Sequence, residues 1–163
     1  MSRFLLAAFL LAGFASLGAT EDKADNKDNP PNDPKSNNKD KIVGKWKVTE
    51  YPKEHAPAYE QIATLGFWFY IEFKSNNVLV LGLGADTPEG QKQLKRVAEN
   101  GELTWDAKYR LLAVDVVQIY GAKEKQLNAA LLGDNTKPSI TVKNDEMTIK
   151  DPEGKITKLT RLK

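Results

Sequence analysis

Residues 40–50, Asp40-Lys41-Ile42-Val43-Gly44-Lys45-Trp46-Lys47-Val48-Thr49-Glu50, decide how the rest of the chain is read. Ile42, Gly44, Trp46 and Val48 share one parity, and Val43, Lys45, Lys47 and Thr49 share the other. A period of two predicts a strand with one buried face. Gly44 has no side chain at a point where the apolar row needs a close approach, which fits a strand bending around a core. Trp46 supplies the largest side chain of that row.

Upstream, Met1-Ser2-Arg3 is a short positive start, Phe4 to Phe14 is apolar, and Ala15-Ser16-Leu17-Gly18-Ala19 is built mostly of small residues. This is the three-part layout of a secretory signal peptide, too short to span a bilayer. Residues 1–19 are therefore expected to be removed, leaving no stable membrane anchor and a secreted or periplasmic protein. Residues 20–41 are Asn, Asp, Lys and Pro with Ala24 as the sole aliphatic residue before the strand. Such a segment cannot bury enough apolar surface to offset the entropy of ordering it, so it reads as a disordered polar spacer. Residues 42–163 form one domain of common size.

That domain carries 18 Lys/Arg against 16 Asp/Glu, interspersed, which gives no footprint for nucleic acid. The chain has no cysteine and one histidine, His55, so disulfides, thiolate metal sites and a cysteine nucleophile are excluded.

Downstream, strands predominate. Tyr51 to Thr64 is a loop broken by Pro52 and Pro57, with Ala58 to Ala63 as one helical turn. Leu65 to Phe73 places Leu65, Phe67, Phe69, Ile71 and Phe73 on one face. Lys74-Ser75-Asn76-Asn77 turns into Val78–Leu83, making a hairpin. Between Asp86 and Asn100 the period changes. Thr87 can cap, Pro88 fits the first helical position, and Leu94, Val97 and Ala98 form a stripe ended by Gly101. Glu102–Lys108 alternates again, with Leu103, Trp105 and Ala107 on one face. Arg110–Tyr120 is apolar on both faces, so its inward row stays open. Ala122–Leu132 reads as a second short helix stopped by Gly133. Ser139–Lys143, Met147–Lys150 and Lys155–Leu162 then form a meander.

The expected fold is thus mainly β: an antiparallel up-and-down barrel of about eight strands with one or two short helical insertions. An open sheet of eight strands would leave two edges, and pairing the first strand with the last removes them. Thr157, Leu159 and Arg161 share a face of the last strand. In that pairing Arg161 can lay its guanidinium over the Trp46 ring.

Gly44-Lys45-Trp46 at the start of a β-meander, with Arg161 at its end, resembles the lipocalin-like domain. The resemblance implies that Gly44, Trp46 and Arg161 are the structural closure of a barrel, with the arginine covering the tryptophan. The ending Asp151 to Arg161, the polar spacer and Val43-Gly44-Lys45-Trp46 are also similar to a paralogous family of small secreted proteins in planctomycete bacteria. The Thr-Asp-Tyr turn of typical lipocalins is absent.

Candidate sites follow from this. Trp46, Phe67, Phe69, Phe73 and Trp105 are the candidate ligand-binding wall, able either to line an apolar pocket or to fill it. Tyr51–Thr64 would cover one mouth, with Tyr59 as a gate. Trp68/Tyr70 and Val78/Val80 offer an outer patch for a protein partner. Glu54-His55 and Asp115 are weak acid–base candidates, and no nucleophile motif accompanies them. Asp134-Asn135 and Asp145-Glu146 lack the spacing of a calcium loop. The reading is a non-enzymatic exported module without cofactor or metal. It binds a small apolar ligand or, with a filled barrel, a protein partner as an inhibitor-type or envelope module.

Overall fold

The computed structural model describes residues 38–53, 55–98, 103–122 and 136–163. The signal segment 1–19, most of the spacer, Glu54, Gly101, Gly133, Asp134-Asn135 and nearly all of the expected helix Ala122–Leu132 lie outside the described residues.

Among the described residues there are three short helices, α1 (Asn38–Ile42), α2 (Ala56–Thr64) and α3 (Pro88–Val97). The eight strands are β1 (Gly44–Glu50), β2 (Phe67–Phe73), β3 (Val78–Ala85), β4 (Leu103–Leu111), β5 (Val117–Tyr120), β6 (Ser139–Lys143), β7 (Glu146–Lys150) and β8 (Ile156–Arg161). They form one antiparallel sheet in the order β5-β4-β3-β2-β1-β8-β7-β6. The first and last strands pair as expected, Trp46 opposite Arg161 and Val48 opposite Leu159. The seam lies elsewhere, between β5 and β6. There an isolated Val116–Ser139 bridge and backbone bonds from Val117 N to Pro138 O (3.0 Å) and from Ile119 N to Thr136 O (3.1 Å) draw the flanks together. The sheet is therefore a nearly closed barrel.

Period-two alternation sends one row of each strand inward. Trp46 and Val48, Phe67, Phe69 and Phe73, Leu79, Leu81 and Leu83, Tyr109, Val117 and Ile119, Ile140, Met147 and Ile149, and Leu159 make one continuous core. Each Leu, Ile or Phe buried in it contributes about 1.5–3 kcal/mol.

Several boundaries differ from expectation. Asp40–Ile42 is helical, and β1 begins at Gly44. Ile42 is still buried, but from α1 across the barrel end. Of the expected spacer, residues 38–41 are described, and they are helical. Leu65 belongs to the turn after α2 and is 57% exposed. α2 itself is longer than the single turn expected, and Pro57 fits its first turn, where no intrahelical N–H bond is needed. Arg110–Tyr120 is not one strand. β4 continues through Tyr109 to Leu111, the chain turns back where Leu112 N donates to Val116 O (2.9 Å), and β5 follows. Both faces looked apolar because two half-strands, each with its own inward row, flank an apolar turn. Asp115 sits exposed in that turn rather than within a strand, and Val114 is 57% exposed.

Local chemistry sets the connections. Asn77 takes φ +66° in the β2–β3 turn and Asn144 takes φ +57° in the β6–β7 turn, a region asparagine tolerates. Thr87 caps α3, its hydroxyl accepting from Gly90 N at 3.1 Å.

Candidate functional site

The barrel has one clamped end and one covered end. At the clamped end Trp46 is fully buried, and its indole Nε1 donates to Ile42 O at 2.8 Å. Arg161 lies over the ring with its guanidinium carbon 4.1 Å from the centroid. Its Nη1 donates to Val43 O (2.9 Å) and its Nη2 to Lys41 O (2.5 Å), so the helix α1 exit is tied to the last strand. Gly44 is at φ +135°, and a Cβ there would stand 2.6 Å from Arg161 Nη1. The close approach inferred for Gly44 is thus made by the arginine itself. Beside this clamp, Phe73 meets Tyr109 edge-on at 5.1 Å, and the Tyr109 hydroxyl donates to Lys74 O at 2.7 Å.

At the other end α2 lies against β2. Tyr59, from this helix, is sandwiched. One face stacks on Tyr51 at 3.7 Å and 10°, and the ring meets Phe69 edge-to-face at 5.2 Å and 83°. Burial, aided by the neighbouring Tyr51, pushes the Tyr59 hydroxyl far above the ordinary tyrosine range, and burial also raises Tyr51.

Between the two ends is a cavity of about 50 Å³. Val48 of β1 and Phe69, Ile71 and Phe73 of β2 line one side, with Leu79 and Leu81 of β3. Ile119, Ile149 and Thr157 come from β5, β7 and β8, and Tyr59 closes it from α2. Among the described residues no lining side chain is charged, and the polar groups are the hydroxyls of Tyr59 and Thr157. An engineered apolar cavity of about 150 Å³ admits benzene, so the barrel is largely filled by its own side chains.

The five aromatic residues expected to form one wall are distributed over the whole barrel. Phe69 and Phe73 line the cavity. Trp46 is at the clamped end. Phe67, buried and paired with Ala85, is at the covered end, and Trp105, opposite Leu81, is half-buried against the core. The aliphatic lining residues carry no aromatic bulk to single them out in the sequence. The inward rows of β3, β5 and β7 were the signal that could have found it.

The outer patch is only partly open, with Trp68 and Val78 half-buried. Tyr70 and Val80 are 1% and 3% exposed. Gly82 and Gly84 leave room for the rings of Tyr70 and Trp68 to lie flat on the sheet, with hypothetical Cβ atoms only 2.2 and 2.3 Å from them. Lys45 sits 3.7 Å over Tyr70 and Lys47 4.7 Å over Trp68, with Lys47 also bonded to Asp86 at 3.0 Å. Alternating glycine, ring and lysine layers cover what the sequence shows only as an apolar row. His55 occupies the N-terminal boundary of α2.

No protein-family model and no curated protein matches the chain. Among solved structures it is similar to a DUF4847 family protein from Bacteroides vulgatus, with 10% identity and a TM-score of 0.43, over 74% of this chain and 92% of that one. It is also similar to a Schistosoma mansoni fatty acid binding protein in complex with arachidonic acid, with 12% identity and a TM-score of 0.37, over 75% of this chain and 96% of that one. At these scores the barrel assignment stands on the chain's own strand order and register.

Proposed function

We propose that this protein is an exported, non-enzymatic, lipocalin-like barrel that binds a small apolar molecule in its interior. The observation that carries the reading is the uncharged cavity between the Trp46–Arg161 clamp and the Tyr59-bearing helix. A clamped end gives the ligand a floor, and a helix held by aromatic contacts is a cover that can lift. The apolar start of the chain and its resemblance to secreted lipocalin-like proteins support export. The test is amide NMR of the purified chain titrated with toluene and with decanol. Saturable shifts centred on Phe69, Leu81 and Ile149 are expected. Absence of saturable shifts with both compounds refutes the reading.

The small size of the cavity favours one second reading, a filled barrel that acts as an inhibitor-type or envelope module through its loops. A pull-down from the extracellular fraction that recovers no partner above background counts against it.

A further inference from the structure

The inward-facing rows among the described residues hold one cation, Arg161. That guanidinium is committed. It covers Trp46 at 4.1 Å and donates to Val43 O and Lys41 O. A carboxylate placed in the cavity would have no positive partner among the described lining residues, and an unpaired ion in an apolar site is strongly disfavoured. The lining among the described residues is uncharged, and with Tyr59 displaced its one hydroxyl is Thr157, which matches a ligand that is itself uncharged and needs at most one hydrogen bond.

Size gives the second constraint. The free space is about 50 Å³, roughly a third of the ~150 Å³ that admits a benzene ring. The part of the lining that can leave is Tyr59. It comes from a helix rather than from the sheet, and α2 is bounded by Pro52 on one side and by Gly66, at φ +80°, on the other. Its phenol ring occupies the seat between Tyr51 and Phe69. Swinging it out adds one ring's volume to the cavity and leaves two aromatic walls already spaced to hold a ring.

We propose that Tyr59 is a place-holder for the ligand, and that the ligand is an uncharged molecule about the size of one aromatic ring, carrying a hydroxyl or similar group, that enters by displacing it. This rests on the apolar-ligand reading above and narrows it. Among the described lining residues no cation is present to pair with an acid, and the volume disfavours bulky molecules.

The test uses the full purified chain and matched probes: benzyl alcohol against benzoate, and decanol against decanoate, at pH 7.5, followed by amide NMR and tyrosine fluorescence. Benzyl alcohol should bind at least tenfold more tightly than benzoate. Tyr59→Ala should tighten benzyl alcohol at least tenfold and leave benzoate weak. Benzoate binding as well as benzyl alcohol overturns the proposal, as does an unchanged benzyl alcohol affinity in folded Tyr59→Ala. If that variant does not fold, Tyr59→Leu clears part of the seat while keeping an apolar filler and both aromatic walls, Tyr51 and Phe69. It should tighten benzyl alcohol about threefold, and no gain overturns the proposal. Decanol binding without benzyl alcohol binding defeats the one-ring inference and leaves the broader function standing. Failure of all four probes defeats both.

Discussion

Replacing Arg161 with methionine tests the clamp directly, because the stem is kept and the guanidinium is lost. Four contacts disappear. The bond to Val43 O is partly buried at 2.9 Å, and leaving that carbonyl unpaired costs about 1.5 kcal/mol. The bond to Lys41 O is exposed at 2.5 Å, so water replaces it and the loss is about 0.5 kcal/mol. The cation over Trp46 at 4.1 Å, with one side screened by solvent, contributes about 1 kcal/mol. The Asp145 carboxylate is 3.8 Å from Arg161 Nε and half exposed, so its share is close to zero. The sum is about 3 kcal/mol. With a urea slope of about 1.5 kcal/mol per molar, the midpoint should fall by about 2 M at unchanged slope. Arg161→Lys keeps a charge but cannot reach both carbonyls while covering the ring, so its midpoint should lie between the two. Circular dichroism and tryptophan fluorescence report the transition. A shift below about 0.5 M for Arg161→Met at constant slope refutes the claim that this clamp holds the barrel end.

Gly44→Ala combines a left-handed backbone with a Cβ only 2.6 Å from Arg161 Nη1, so it should lose about 2–4 kcal/mol, read from urea midpoints. Gly82→Ala puts a Cβ 2.2 Å from the Tyr70 ring, which must lift off the sheet. A loss of about 1–3 kcal/mol and a changed near-ultraviolet dichroism are expected. In alkali, Tyr59 and Tyr51 are raised in the fold above their unfolded value near 10, so their stabilisation is complete below pH ~10 and is lost as the pH climbs past it toward the folded values. Urea midpoints should therefore fall above pH 10, and fall less steeply in Tyr59→Phe. Equal alkaline slopes in the two proteins would contradict the burial seen at Tyr59.

Much of the barrel was legible because it rests on local signals. The Gly44-Lys45-Trp46 row, the β2–β3 hairpin, the Thr87 cap and the C-terminal meander each follow from alternation or turn chemistry within a dozen residues. The pairing of β1 with β8 was legible because Trp46 and Arg161 stand in matching rows. The departures from local pattern share a cause. Ile42 and Leu65 have the parity of the strands that follow them, yet both lie in other elements. Apolar parity extends past a strand whenever the neighbouring residue is buried for another reason, or happens to sit in an apolar turn. The two-faced run Arg110–Tyr120 shows the converse, since its turn at Leu112–Val116 has no Gly, Pro or Asn to announce it.

The site was less legible, for a geometric reason. Parity decides whether a side chain points into a barrel, but not at which level along the axis it sits. Level depends on the stagger between strands, set by pairings such as Trp46 with Ile71 and Leu81 with Trp105. Trp46 and Phe73 both point inward, yet one serves the clamp and the other the cavity. Tyr59 carries no strand parity at all, because it arrives from a helix laid across the opening. An inside row can therefore be read from a sequence, whereas a ligand seat inside a barrel is set by register and by whatever element covers the mouth. In this chain that element is α2, which sets the Tyr59 ring between Tyr51 and Phe69.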